Sequence, residues 1–128
     1  MLPDEQNLQT SLLPLREPTF LILLSLAPGK KHGYAILQDV EALSDGKVRL
    51  STGTLYEALA RLLSQDLIER ISEDAPNVGD ESEDLIPRGK PRKVYLLTKA
   101  GRGLLEAETR RMQTLVYTAQ IRLGKETI

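Results

Sequence analysis

Apolar positions recur at helical spacing in four stretches of this chain, and three shorter runs read as strands. The first helix is predicted over Pro18–Leu26. Pro at its start suits a first helical turn, and Pro28-Gly29 stops it. It is apolar on most sides, so it belongs in the core. The second is predicted over Gly33–Leu43, with Tyr34, Ile36, Leu37, Val40 and Leu43 on the buried face and Gln38, Asp39 and Glu41 toward water. Ser44-Asp45-Gly46 ends it. The third begins at Ser51 or Thr52, residue types that cap a free backbone N–H, and ends near Gln65. Leu55, Ala58, Leu59, Leu62 and Leu63 form its apolar stripe, and Thr54, Glu57, Ala60, Arg61 and Ser64 face outward. A fourth helix is predicted after Thr98, running to about Leu123. Its stripe of Leu105, Met112, Val116, Ala119 and Leu123 faces nothing within so small a domain, so it is expected to meet a helix of a second chain.

The strand candidates are Lys47–Leu50, which alternates polar and apolar, Leu67–Ile71 and Arg92–Leu97. The last two, joined by a long acidic loop over about 73–91, make a β-hairpin. Residues 1–17 carry Leu8, Leu12 and Leu15 at helical spacing, but Pro14 interrupts a helix there. A short arm with one helical turn and a frayed terminus both fit. The fold class expected is mainly α with a small β-hairpin (α+β). The division is an N-terminal arm (1–17), a winged-helix domain (18–98) and a C-terminal dimerisation helix (99–128).

Composition narrows the chemistry. With no cysteine among 128 residues there is neither a disulfide framework nor a thiol nucleophile, and with His32 the single histidine no metal or cofactor is expected. The longest apolar run, Phe20–Leu26, is far short of a membrane span, and the N-terminus opens on acids instead of a basic leader, so a cytoplasmic protein is expected. The net charge of −1 argues against a nucleic-acid binder until its distribution is considered. Glu73, Asp74, Asp80, Glu81, Glu83 and Asp84 lie together. Without those six acids the remaining 12 face 17 basic residues, a surplus of +5. No catalytic pattern is present: His32 has no patterned nucleophile or acid beside it, and no phosphate-binding or nucleophile-elbow motif occurs, so no enzyme is expected.

The order helix, helix, short strand, helix, hairpin, helix is the winged helix-turn-helix arrangement, in which the third helix enters the major groove of DNA and the hairpin lies beside it. Ser51-Thr52-Gly53-Thr54-Leu55-Tyr56 opens that helix with small and hydroxyl residues. Such a helix end leaves N–H groups uncovered, carries partial positive charge and suits phosphate. The DNA-binding candidates are Ser51, Thr52, Gly53, Thr54, Tyr56 and Arg61, with Arg88, Lys90, Arg92 and Lys93 of the basic cluster leading into the second hairpin strand. A solvated charged hairpin with an ordinary helix cap is the plainer alternative. His32 is expected to cap the second helix or touch phosphate.

The chain resembles the PadR family of transcriptional regulators. The resemblance is carried by Ile22-Leu23 with Leu26, His32-Gly33-Tyr34 with Ile36, Ser51-Thr52-Gly53-Thr54-Leu55-Tyr56, Leu59 with Arg61-Leu62, Leu67-Ile68, and Arg92-Lys93-Val94-Tyr95-Leu96-Leu97-Thr98 with Gly101. It implies a homodimer on a pseudo-palindromic operator in double-stranded DNA, usually a repressor, with Tyr34 and Tyr95 as packing residues. Some relatives sense small aromatic or drug-like effectors at the dimer interface. With no Trp here, an aromatic-stacking pocket has less support. The chain departs from the family in Glu57, where Pro commonly follows the Tyr, in Asp66 where Gly is usual, and in the long acidic wing loop. The single cation on the third helix, Glu57 and the acidic loop leave an alternative: a winged-helix protein-interaction module that does not bind DNA.

Overall fold

The apolar run after Pro18 becomes the helix around which everything else packs. The computed structural model describes residues 12–73 and 92–124. Within them the order is α1 (Glu17–Leu26), β1 (Lys31–His32), α2 (Gly33–Leu43), α3 (Thr52–Ser64), β2 (Ile68–Glu73), β3 (Arg92–Leu97) and α4 (Lys99–Arg122). The strands form one antiparallel sheet in the order β1-β3-β2. Leu21, Ile22, Leu23 and Leu26 of α1 meet Ile36 and Val40 of α2, Leu55, Leu59 and Leu62 of α3, and Leu104 and Leu105 of α4, all buried. Each such side chain contributes roughly 1.5–3 kcal/mol through the apolar surface it removes from water.

Two junctions hold the layers in register. α3 ends in a Schellman turn: the Leu67 N–H donates to the Leu62 carbonyl (3.0 Å) and the Asp66 N–H to that of Leu63 (3.1 Å). The turn needs a left-handed residue, and Asp66 supplies it at φ 58°. Its neighbour Leu67 then turns its carbonyl onto the first turn of α4. There a Cβ on Gly101 would lie 1.9 Å from the Leu67 oxygen, so only glycine fits. Thr98 completes this junction: its hydroxyl accepts from the Gly101 N–H (3.0 Å) and donates to the Asp66 carbonyl (2.6 Å).

The second junction ties the arm before α1 to α4. Glu108 is 1 % exposed. Its carboxylate accepts from the Leu15 N–H (2.8 Å) and from the Arg111 guanidinium (3.0 Å to Nη2). The Arg111 pairing and the Leu15 bond hold this carboxyl below its ordinary range although burial pulls the other way.

Three sequence expectations change. Lys47–Leu50 forms no strand. Ser44 takes the Val48 N–H (2.9 Å) and Arg49 pairs with Glu41 (3.0 Å), so the segment closes back on the end of α2. The third strand is instead Lys31–His32, paired with Tyr95 and Val94. Tyr34 is 45 % exposed and Leu43 46 %, not core, because α2 buries only the narrow stripe of Gly33, Ile36 and Val40. Tyr95, in contrast, is buried.

Candidate nucleic-acid interface

The exposed end of α3 is built by a cap. Ser51 is its N-cap: the hydroxyl accepts from the Thr54 N–H (3.1 Å) and donates to the Thr54 hydroxyl (2.9 Å). The N–H groups of Thr52 and Gly53 belong to the first turn and have no acceptor within the helix. Ser51, Thr52, Gly53 and Thr54 are all exposed, and nothing lies within 4 Å of a Cβ placed on Gly53. Glycine there is not demanded by packing, and it leaves the backbone open to an approaching anion.

Opposite the buried Leu55, Leu59 and Leu62, the outer ridge of α3 carries Gly53, Glu57, Ala60 and Ser64, all exposed. Tyr56 and Arg61 flank this ridge. Tyr56 lies toward α2, where its phenol oxygen sits 2.6 Å from where a Gly33 Cβ would be. His32 does not cap α2 with its side chain; its Nδ1 faces the Lys93 carbonyl at 3.4 Å.

The pleat separates the charges of the sheet. Lys31, Arg70 and Tyr95 stand abreast, as do Ser72 and Lys93, and these share one face with Ile68 and Leu97. Among the described strand residues that face has three cations and no acid. The other face carries Glu69, Glu73 and Arg92. Lys93 and Arg70 are exposed; the Lys31 ammonium is engaged by the Ser25 carbonyl at 2.7 Å. Burial, foremost, and the nearby Tyr56 push the Tyr95 phenol up, while its cross-strand neighbour Arg70 opposes them. Glu73, expected in the loop, ends β2 and pairs with Lys30, which lowers its carboxyl's affinity for a proton.

Arg92 therefore takes a different place from the one expected. It is 5 % exposed and lies on the Val94 side of the sheet, one residue out of phase with Lys93, so it does not join the exposed cations. Arg88 and Lys90 lie outside the described residues. Sequence reasoning passed over Arg70, which looks like any strand residue until the register sets it beside Tyr95.

A profile of the transcriptional regulator PadR-like family matches residues 22–107, which span α1 to the first part of α4. The chain belongs to the PadR-like family. That family is one of transcriptional regulators and not of enzymes, and its winged-helix architecture is the one described above. A PadR family transcription regulator from Clostridium difficile is 26 % identical, with a TM-score of 0.62 over 85 % of this chain and 100 % of that one. A PadR-like regulator from Bacillus cereus is 22 % identical, with a TM-score of 0.63 over 94 % and 99 %. Bacillus subtilis PadR, solved in complex with operator DNA, is 20 % identical, with a TM-score of 0.56 over 73 % and 47 %, and shows the shared fold. A 37.1 kDa protein in transposon TN4556 of Streptomyces fradiae is 39 % identical over 95 residues; that match covers 74 % of this chain and 23 % of the longer protein.

Two further features of this PadR-like chain bear on the expected sites. Arg61 lines a cavity of about 210 Å³ between the arm, α3 and α4, together with Arg16, Leu15, Leu62 and Leu104, so it stands at the rim of the outward ridge and not on its crest. On α4, Leu105 is 6 % exposed and belongs to the core, because the helix is still docked against α1 and β3 there. Beyond Arg111 it leaves the body. Met112 is half-buried, Leu115 (absent from the stripe expected), Val116 and Ala119 are exposed, and Leu123 is 72 % exposed. No helix among the described residues is long and apolar enough to cross a membrane.

Proposed function

We propose that this PadR-like regulator is a cytoplasmic, sequence-specific DNA-binding protein that works as a homodimer on a pseudo-palindromic operator, in most settings as a repressor. α3 is the recognition helix, entering the major groove with Ser51, Thr52, Gly53, Thr54 and Tyr56 leading. The β2–β3 wing lies along the backbone. The observation that carries this reading is the open helix end at Thr52–Thr54, set beside a sheet face that bears Arg70 and Lys93 and no described acid. Helix-end N–H groups and exposed cations both suit phosphate, and the Thr52 and Thr54 hydroxyls suit phosphate or a base edge. Arg88 and Lys90 are expected to add to the wing's charge, and Arg61 to meet DNA only at the edge of the interface. The α4 stripe of Met112, Leu115, Val116, Ala119 and Leu123 joins the two subunits, so that their recognition helices meet successive major grooves about 34 Å apart.

The test is titration of the full chain against the DNA upstream of its own gene and against unrelated duplex, across a salt series. A specific complex that weakens steeply with salt is expected. Thr54→Ala and Tyr56→Ala should weaken operator binding more than binding to unrelated DNA, and Lys93→Ala should weaken both. Glu57, exposed at the centre of the outward ridge, favours a second reading, a protein-interaction module. No specific complex even at low salt would select that reading over the first.

A further inference from the structure

Tyr95 lies in the wing, on β3, and shares a sheet face with Lys31, Arg70 and Lys93. Its ring is 2 % exposed, and the register places it directly opposite Arg70 on β2. Directly opposed residues of an antiparallel pair point to the same side. Arg70 is exposed, and as the cross-strand neighbour of Tyr95 its side chain opposes the upward push that burial gives the phenol. The Tyr56 phenol stands against Gly33, the residue that follows β1, and β1 is the other neighbour of β3 in the sheet. A buried ring with a polar tip is a fixed post. A guanidinium offers five N–H donors, so one set beside a phenol still has donors for a phosphate. Holding an exposed Arg in place also reduces the side-chain entropy lost when it binds.

We propose that Arg70 is a DNA-phosphate contact held in position by Tyr95, so that β2 grips the backbone close to where the N-terminus of α3 and Tyr56 meet it. Tyr95 is a positioning residue: it touches no DNA and acts through Arg70. This rests on the DNA-binding reading above and adds to it a contact on the shaft of the wing, away from its tip.

The experiment uses the full chain and duplex DNA from its own upstream region, with unrelated duplex alongside, over a range of potassium chloride concentrations. Arg70→Ala should lose affinity for both DNAs and make the slope of log K against log salt shallower by about one, because one phosphate fewer is neutralised in the complex. Arg70→Lys should keep the slope, because the charge stays, but not the full affinity, because the fork geometry goes. Tyr95→Phe keeps a ring of nearly the same size in the core. It should weaken binding in the native background and change nothing further once Arg70 is Ala. A purely structural Tyr95 would give the same loss in both backgrounds. Should Tyr95→Phe fail to fold, the Arg70→Ala slope still decides. An unchanged Arg70→Ala slope, with Thr54→Ala and Lys93→Ala weakening binding, overturns this inference alone. If all three bind like the unmodified protein, the DNA-binding reading falls with it.

Discussion

At the scale of single residues, glycine plays different parts at three positions. Gly101 is needed because the Leu67 carbonyl occupies the space of a side chain, whereas at Gly33 the neighbour is the tip of the exposed Tyr56 side chain, which can move aside. At Gly53 nothing occupies that space. Gly53→Ala should therefore stabilise the free protein by up to about 1 kcal/mol, since alanine favours the helix. It should also weaken operator binding by about tenfold, on the order of 1.4 kcal/mol, because a methyl then stands between the helix end and the phosphate. Thermal unfolding and a DNA titration on the same preparation check both. Equal or tighter operator binding by the alanine variant would remove the helix end from the interface.

At the scale of elements, the turn between α3 and β2 sets where the wing starts. Asp66 adopts a left-handed conformation that costs an L-residue about 1 kcal/mol and glycine almost nothing. Asp66→Gly should raise the unfolding midpoint by a few degrees with DNA binding unchanged, whereas Gly101→Ala should cost about 2–3 kcal/mol, because backbone and not a flexible side chain must yield. A melting series on the two variants reads both. Opposite signs are expected, and an Asp66→Gly variant less stable than the native chain would mean that the carboxylate holds the turn by contacts that glycine cannot supply.

At the scale of the whole molecule, α4 does two jobs along a length of about 36 Å. Its first half is docked and its second half presents an apolar stripe to solvent. Val116→Glu should turn the proposed dimer into a folded monomer in sedimentation and reduce operator affinity more than affinity for a half-site. A native chain that sediments as a monomer at micromolar concentration contradicts the proposed assembly. The docked half includes the Glu108 latch on the arm. The folded-state pKa of Glu108 is lowered, so its stabilisation is present above the unfolded value of about 4.3 and is lost as pH falls through the folded one. Unfolding midpoints taken from pH 7 down to 3 should fall less steeply for Glu108→Gln than for the native chain, from a lower starting stability at pH 7.

The sequence alone determined the helices, the hairpin strands and the exposed end of α3, because each is written in local period and capping chemistry: the α1 run, the Leu55–Leu59–Leu62 stripe, Ser51 before a first turn. It carried the family too, since the matching motifs lie within those elements. Only the tertiary structure decided what depends on partners distant in the chain. Lys31–His32 is a strand solely because β3 lies beside it, and no two-residue run announces that. Arg92 and Lys93 read as one basic cluster until the pleat turns them to opposite faces, and Arg70 reads as an ordinary strand residue until the register sets it against Tyr95. Glu108 has the sequence look of a solvated helix face, yet it is buried by an arm whose Leu15 N–H comes from 93 residues away. Periodicity reports which side of an element avoids water; which neighbour covers that side is settled by packing, where residues far apart in sequence share one surface.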